Sequence, residues 1–430
     1  MTKRHHIILL VLIIVSMLAF SATDSFSSGF GIFTQDSSST SQASATIAHS
    51  DNPSAIFYNP SLINQLTGTQ VEAETTLLSP TREFKSALTG QTTKTESQIF
   101  FPSTFYVTQA VNDKLSVGFG LFSPFGLGTK WPDNWEGRYI ATNSKLTTIA
   151  FNPVASVRLA PWITVAGGLV YMYVDTTLER HLNFTVPGLA LPDGTQKFHA
   201  TGSGLGFNAG LLLEPTKDVN IGLSYRSRVR TDLDGNVTFG IPASVAPVLG
   251  PLFPNTSATT KLDLPAQAYA GIYFKQLYPL TFEIATRWEQ WSLFKQLDLQ
   301  LGQPVVGSSD VISERNWRDT WSGMIGLKYQ LTKPVAILGG YLYQRGAVPA
   351  STFEPAIPDS DGHLFTIGSE IKLKSLSLAA GYGYQILKKR TKNNTVDDNP
   401  NDGTFNAMTA ANGEYKSHLH IASLSITYRF

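Results

Sequence analysis

The chain has 430 residues, of which 42% are hydrophobic and only 15% are charged, compared with about 25% charged residues in an average soluble protein. Its 33 basic and 32 acidic side chains give a net charge of +1, so the protein has no overall field that would attract nucleic acid. The absence of cysteine excludes disulfides, thiolate nucleophiles and cysteine-based zinc or iron–sulfur sites.

The start of the chain has the pattern of a secretory signal peptide. Lys3 and Arg4 precede an apolar run over residues 7–20, and Ala19-Phe20-Ser21 has the small-x-small spacing of a signal-peptidase site. The run is shorter than the about 20 apolar residues of a membrane-spanning helix, and Ser- and Thr-rich sequence follows it. We therefore expect residues 1–21 to be removed on export; an uncleaved membrane anchor is the alternative.

Residues 22–68 lack the alternation of a strand and predict a plug of short helices. Asn52-Pro53 and Asn59-Pro60 each place a good N-cap residue before a proline at the first helical position, which predicts short helices over residues 51–58 and 59–65. Because Ile56, Phe57 and Leu62 make the segment too apolar for a free tail, we expect it to fill the interior of the barrel described next. A disordered leader is the alternative.

From Thr69 to the C-terminus, the chain divides into about 14 segments in which apolar and polar side chains alternate, the pattern of strands with two different faces. In the last segment, Leu424 and Ile426 fall on one face, and Ser423 and Ser425 fall on the other. The predicted strands begin near Thr69, Gln98, Lys114, Leu146, Ile163, Leu205, Val219, Lys261, Leu280, Thr320, Val335, His363, Ser375 and His418.

Tight and long connections alternate along these strands. Residues 111–113, 159–162, 215–218, 275–279, 332–334 and 374 are tight connections, whereas every other connection is long. In an antiparallel meander this places all turns at one rim and all long loops at the other, as in outer-membrane barrels. We predict an all-β membrane protein: an antiparallel up-and-down transmembrane β-barrel of about 14 strands over residues 69–430, with residues 22–68 as an N-terminal plug. A soluble β-sandwich or propeller is the alternative fold.

Several motifs resemble one known family. Residues 50–61, which end in Asn59-Pro60-Ser61, resemble the plug signature of the FadL-type transporters of long-chain fatty acids and hydrocarbons. Further similar stretches are residues 223–227, 262–265, 288–292 and 348–350 and the terminal strand to Phe430, so that the resemblance covers essentially the whole mature chain. It implies a fourteen-stranded barrel with an N-terminal hatch, through whose wall hydrophobic molecules diffuse.

The resemblance also implies where a wall opening and a head-group site would lie. An inward kink of the third strand would correspond to Gly118-Phe119-Gly120, leading to Pro124, opposite Asn59, Pro60 and Ser61; Ser61 stands where the family usually has Ala. The basic residues that meet a fatty acid carboxylate would correspond to Arg180 and Arg318. An arginine suits this role because its planar guanidinium stays charged and grips a carboxylate with two hydrogen bonds.

Two groups of apolar side chains are further candidates for substrate contact. If Tyr171 and Tyr173 face lipid, Val170, Met172 and Val174 face inward, where they either line an apolar passage or pack against the plug. The loop after the third strand is strongly aromatic, which predicts a surface groove for first capture or, alternatively, an interfacial aromatic girdle. The groove residues would be Phe122, Phe125, Leu127, Trp131, Trp135 and Tyr139.

Arg226, Arg228 and Arg230 alternate with other residues and are expected to line the lumen or its outer mouth. They would form salt bridges to Glu283, Glu289 or the plug, or contact the ligand. Both roles, salt bridges within the protein and contact with the ligand, stay open for these arginines.

These features together favour passive uptake of hydrophobic compounds across the outer membrane, with a general or substrate-selective porin as the alternative function. No Gly-x-Ser-x-Gly elbow and no metal-binding His spacing occurs, so we expect neither an enzyme nor a cofactor. The expected partners are fatty acids or hydrocarbons, outer-membrane lipid and lipopolysaccharide, but not nucleic acid, and we expect a monomer. The long loops are also compatible with a role as an adhesin or phage receptor.

Overall fold

The computed structural model describes residues 29–185, 188–397 and 405–430. The predicted signal segment, residues 1–21, and the first part of the predicted plug, residues 22–28, lie outside the described residues. The strands are β1 (Thr69–Ser86), β2 (Thr92–Lys94), β3 (Ser103–Ala110), β4 (Leu115–Phe122), β5 (Gly126–Lys130), β6 (Asn143–Ala160), β7 (Ile163–Leu182), β8 (Gly194–Thr216), β9 (Val219–Arg226), β10 (Val229–Gly240), β11 (Thr256–Leu264), β12 (Gln267–Phe274), β13 (Leu280–Glu289), β14 (Gln296–Val305), β15 (Ser308–Glu314), β16 (Thr320–Gln330), β17 (Val335–Gln344), β18 (Gly362–Lys372), β19 (Leu376–Lys392) and β20 (Gly413–Arg429).

Fourteen of these strands form a closed antiparallel barrel, as the sequence predicts. The wall follows the order β1, β3, β4, β6, β7, β8, β9, β12, β13, β16, β17, β18, β19 and β20. Pairing of β20 with β1 from Gln70 to Ser86 closes the ring. Closure gives the backbone groups of the first and last strands partners, which hydrocarbon does not supply.

The alternation of short and long connections is confirmed. At one rim, consecutive wall strands are joined by residues 111–114, 161–162, 217–218, 275–279, 331–334 and 373–375. The outer face of the wall is apolar and exposed, for example at Leu205, Ile367 and Leu424, whereas many inward side chains are polar and buried. This distribution is the reverse of that in a soluble protein and suits a wall surrounded by lipid.

The long connections contain strands that the sequence analysis treats as loops. β10 pairs with the first half of β8, β11 with β10, β14 with β11 and β15 with β14, so that the same sheet extends beyond the wall. The predicted wall strand near Lys261 is therefore misplaced: Lys261 lies in β11, and the wall strand is β12, which begins at Gln267. Pro265 separates the two, but alternation continues across it and hides the boundary.

The described part of the N-terminal segment, residues 29–68, lies largely buried inside the barrel. Of the two predicted helices, the first is shorter than expected, and the second is a 3-10 helix with Asn59 as its N-cap. At Gly222 of β9 a side chain would come within 2.1 Å of the Ile47 carbonyl oxygen, so this glycine allows the wall and the plug to touch. The helical elements are α1 (Ser37–Ser41), α2 (Ala55–Tyr58), α3 (Ala246–Leu249) and the 3-10 helices Pro60–Gln65, Gly250–Leu252 and Trp291–Leu293.

Among the described residues, no helix has both the length and the apolar character needed to cross a membrane.

Candidate functional site

A cavity of about 550 Å³, the first cavity, lies between the plug, the inner wall and the long loops. Its lining is mainly apolar and includes Phe33 of the plug, Phe122 of β4 and Leu127 of β5. It extends from the buried Ile421 in the interior to Phe101, which is 62% exposed. The cavity therefore extends from the lumen to the wall.

The wall next to this cavity is interrupted after Phe122. The ladder between β4 and β3 ends at Leu121, and the ladder between β4 and β6 ends at Phe122. Pro124 then follows, and a proline has no N–H group to donate to a ladder. The Ile32 amide donates to the Pro124 carbonyl at 2.8 Å, and the Gly126 amide donates to the Phe30 carbonyl at 2.9 Å. Residues 124–126 thus pair with the plug and not with β3.

The interruption leaves a wall gap, bounded by residues 100–103 on one side and residues 123–128 on the other. Among the described strands, β5 has a ladder with β6 alone. The ring of Phe100 packs on Gly128, where a Cβ atom would lie only 1.9 Å from Phe100 Cζ. Arg82 Nη1 donates to the Gly128 carbonyl at 2.7 Å. The wall gap is therefore closed by side chains, and the first cavity lies directly behind it.

The residues predicted to kink inward lie a few positions before the interruption of the wall. Gly118, Phe119 and Gly120 are paired with both β3 and β6 in a regular part of the wall. A Cβ atom at Gly118 would come within 2.8 Å of Ile56 Cδ1, and Phe119 points outward. The two glycines make room for the plug, and the interruption begins instead beyond Phe122, at Pro124.

The plug motif Asn59-Pro60-Ser61 contacts more than one strand of the wall. Asn59 Nδ2 donates to the Leu211 carbonyl of β8 at 3.1 Å, and a Cβ atom at Gly210 would come within 2.9 Å of Pro60 Cδ. The Ser61 hydroxyl donates to Asn59 Oδ1 at 2.6 Å. Asn59 and Pro60 therefore lie against β8, the Ser61 carbonyl accepts from the Ser156 hydroxyl of β6 at 3.1 Å, and the hydroxyl of Ser61 is bonded within the plug.

The two predicted head-group residues do not meet in one cavity. Arg180 lines a second cavity of about 450 Å³, where its Nε donates to Gln196 Oε1 at 3.0 Å. Arg318 is exposed and lines neither cavity. Arg315, three positions earlier, lines the second cavity but is paired with Glu354 at 2.5 Å.

Two cations that the sequence analysis missed do line the first cavity. Arg82 occupies an inward position of β1, and Lys145 of β6 lines both cavities. The signal for Arg82 is its place in the alternating pattern, two positions after the inward Pro80. Among the described residues, no group of three or more His, Asp or Glu side chains is arranged to hold a metal ion.

Val170, Met172 and Val174 face inward and are fully buried, while Tyr171 and Tyr173 face outward, so the predicted facing of this part of β7 is confirmed. The three inward side chains line neither cavity. They belong to a continuous buried apolar cluster that also contains Ile56 and Phe57 of the plug. Of the two roles considered, packing is the one that the geometry supports.

The aromatic loop is not a surface groove. Trp131 and Trp135 are buried and stack with ring centroids 4.3 Å apart, and Trp131 Nε1 donates to the Pro355 carbonyl of another long loop at 3.1 Å. The long loops thus pack together into a cap that covers the aromatic side chains, which overturns the girdle alternative as well. The rest of the predicted groove is also interior: Phe122, Phe125 and Leu127 line the first cavity, and Tyr139 is buried.

Of the three alternating arginines, Arg226 alone faces the lumen. β9 ends at Arg226 and β10 begins at Val229, so the chain changes its facing across Ser227. Arg228 and Arg230 are exposed, and Arg230 Nε lies 3.0 Å from Asp263 Oδ1. Arg226 Nη2 donates to the Phe57 carbonyl of the plug at 3.1 Å.

Comparison with known proteins is consistent with this architecture. The family model described as "Outer membrane protein transport protein (OMPP1/FadL/TodX)" matches residues 18–430. The 47 kDa outer membrane protein of Pasteurella multocida is 26% identical over 366 residues, which cover 80% of this chain and 83% of that protein. The long-chain fatty acid transport protein of Escherichia coli O6:H1 is 26% identical over 376 residues, with 80% and 83% of the two chains covered.

Two solved structures share the fold. A FadL homologue of Pseudomonas aeruginosa has a TM-score of 0.81 at 19% identity, covering 94% of this chain and 100% of that one. The toluene transporter TbuX of Ralstonia pickettii has a TM-score of 0.70 at 17% identity, covering 92% and 98%. The family match spans almost the whole sequence, and it places the closed barrel in the outer membrane. The chain therefore belongs to the OMPP1/FadL/TodX family of outer-membrane transport proteins.

Proposed function

We propose that this barrel takes up long-chain fatty acids or hydrocarbons passively, by diffusion from the first cavity through the wall gap into the outer membrane. The observation that carries the proposal is the wall gap, at which the first cavity ends. There the Phe100 ring packs on Gly128 and closes the wall, in place of a ladder of hydrogen bonds. Moving the Phe100 side chain aside breaks no strand pairing. The fatty acid and toluene transporters similar to this chain support the substrate class.

The apolar first cavity suits such substrates. Its volume of about 550 Å³ falls within the about 300–1,000 Å³ of small-molecule sites. Burial of each methylene group contributes about 0.8 kcal/mol, so an alkyl chain enters without an energy source. Arg180 and Lys145, which line the second cavity, are the cations that we propose for the carboxylate of an acid on its way inward.

The plug argues against the aqueous porin. Residues 55–61 are buried throughout, and Asn59 and Arg226 bond them to the wall. An ion would have to cross this packed layer without its hydration shell, which is costly. We infer that hydrophobic solutes leave the lumen above the plug, through the wall gap. A single barrel is sufficient for this route.

Steric block of the wall gap tests the proposal. Ser103→Trp and Ser123→Trp each add a bulky ring at the edge of the gap, and both positions line the first cavity. We expect slower uptake of radiolabelled oleate and of toluene by cells that carry either variant, with normal amounts of folded barrel. Ser369→Trp is the matched control because Ser369 lies on the outer face of β18, away from the cavity. Wild-type uptake by both gap variants would refute the lateral route.

A further inference from the structure

Among the residues that the structure describes, Arg226 is a buried cation without an anionic partner. Its side chain is 3% exposed, and its Nη2 donates to the Phe57 carbonyl at 3.1 Å. Within the described part of the chain, Nε and Nη1 have no hydrogen-bond partner, and no carboxylate oxygen lies within 4.0 Å of the guanidinium. A buried charge is normally paired, and donors left unmet in the interior are costly.

Arg287 is a buried arginine that has the usual anionic partner. It lies on β13 in the same inner surface, and its Nε is 3.2 Å from Glu289 Oε2, with both side chains buried. Each of the two arginines also lies over an aromatic ring that lines the first cavity, Arg287 over Phe33 and Arg226 over Phe122. The two arginines differ in that no described carboxylate lies beside Arg226.

The Phe122 ring contacts the Arg226 guanidinium and also lines the first cavity. The guanidinium carbon lies 5.0 Å from the ring centroids of both Phe57 and Phe122, and these two rings meet edge to face at 5.3 Å. The faces of the rings compensate part of the charge. A rotation of the Phe122 side chain would connect the guanidinium with the cavity.

We propose that Arg226 is a deep carboxylate-binding site for the transported acid. This inference rests on the proposed function. The alkyl chain occupies the first cavity, the Phe122 ring turns aside, and the carboxylate accepts hydrogen bonds from the free N–H groups of Arg226. The bound carboxylate supplies the negative charge that Glu289 supplies to Arg287. A hydrocarbon of the same length has no acceptor and gains nothing at this site, so Arg226 makes the barrel selective for acids.

Binding measurements on the purified barrel, with oleate and with an unsaturated hydrocarbon of equal chain length, test this site. Arg226→Gln should weaken oleate binding by about tenfold or more, because hydrogen bonds to charged groups are lost, and should leave hydrocarbon binding unchanged. Arg226→Lys retains the charge and should lose less affinity for oleate than Arg226→Gln. Arg228→Gln is the matched control because Arg228 is exposed on the outside. Heat-dependent mobility on a denaturing gel verifies that each barrel is folded.

The outcomes separate a binding role from a structural one. If Arg226 only holds the plug through the Phe57 carbonyl, Arg226→Gln changes the binding of both ligands equally, and the proposal is overturned. Unchanged oleate binding overturns it as well. If Arg226→Gln does not fold, Arg226→Lys must still show a loss confined to oleate. A wild-type barrel that binds neither ligand refutes the proposed function itself, whereas a wild-type barrel that binds both leaves that function intact whatever the variants show.

Discussion

Removal of one carboxylate from β13 should release the plug. Glu283 faces inward and is fully buried. Its Oε1 accepts from the Ile47 amide at 2.5 Å and from the Ala48 amide at 3.1 Å, and its Oε2 lies 2.6 Å from His49 Nδ1. Glu283→Ala therefore leaves two backbone donors and an imidazole buried without their acceptor.

The size of the effect follows from these three contacts. Each buried group that loses its hydrogen-bond acceptor costs about 1–3 kcal/mol, so the loss of the two amide contacts and the imidazole contact should cost about 3 kcal/mol or more. Each 1.4 kcal/mol changes an equilibrium about tenfold, so the population with a detached plug should rise more than about a hundredfold. The wall itself keeps its ladders, because Glu283 contributes only its backbone to them.

Ionic conductance in a planar bilayer measures the detached population, since a plug that leaves its place opens the lumen to water. We expect frequent long openings with Glu283→Ala and fewer with Glu283→Gln, which keeps one acceptor oxygen. Glu83→Ala is the control because Glu83 lies on β1, 3.7 Å from Lys94 and away from the plug. Equal conductance of Glu283→Ala and the wild type, with a folded barrel, would show that these contacts do not hold the plug.

Two further predictions concern the wall gap and the loops. Phe100→Ala removes the ring that packs on Gly128 and should speed hydrocarbon uptake in proteoliposomes several-fold; slower or unchanged uptake would contradict a gate at this ring. Burial raises the pKa of Asp361 to about 6, against the opposing effect of Lys388 at 4.0 Å. The Asp361 carboxyl makes its full contribution to the free energy of unfolding below about pH 4, and this contribution is lost as the pH rises through about 6. Asp361→Asn should therefore slow protease nicking of residues 346–361 at pH 8 but not at pH 4, and the same difference at both values would refute the assignment.

The sequence predicts the wall strands well because the two faces of the wall lie in different environments. Side chains that face lipid are apolar and many that face the lumen are polar, so the period-2 pattern is strong in β20. The same pattern cannot tell a wall strand from a strand above the membrane, so it predicts a single strand where the structure has β11 and β12. Both have an alternating face, and only the pairing of β11 with β10 separates them.

The candidate site was harder to predict because it depends on contacts between distant segments. Aromatic side chains are typical of both an interfacial girdle and a buried cap, and the burial of Trp131 depends on the loop that contains Pro355. The facing of Arg228 depends on the bend at Ser227, which alternation does not reveal. Arg180 lines a cavity, whereas the exposure of Arg318 follows from a loop whose path the sequence does not specify.

Hydrogen bonds between the plug and residues 124–126 explain how the wall of a membrane barrel can contain an interruption. A strand that leaves its ladder in lipid exposes amide and carbonyl groups, each of which costs several kcal/mol without a partner. Here the plug supplies the partners: the Phe30 carbonyl accepts from Gly126, and the Ile32 amide donates to Pro124. Proline at this position also removes one donor that would otherwise need an acceptor. The segment that fills the lumen is therefore the same segment that makes a break in the wall stable, and the two features depend on each other.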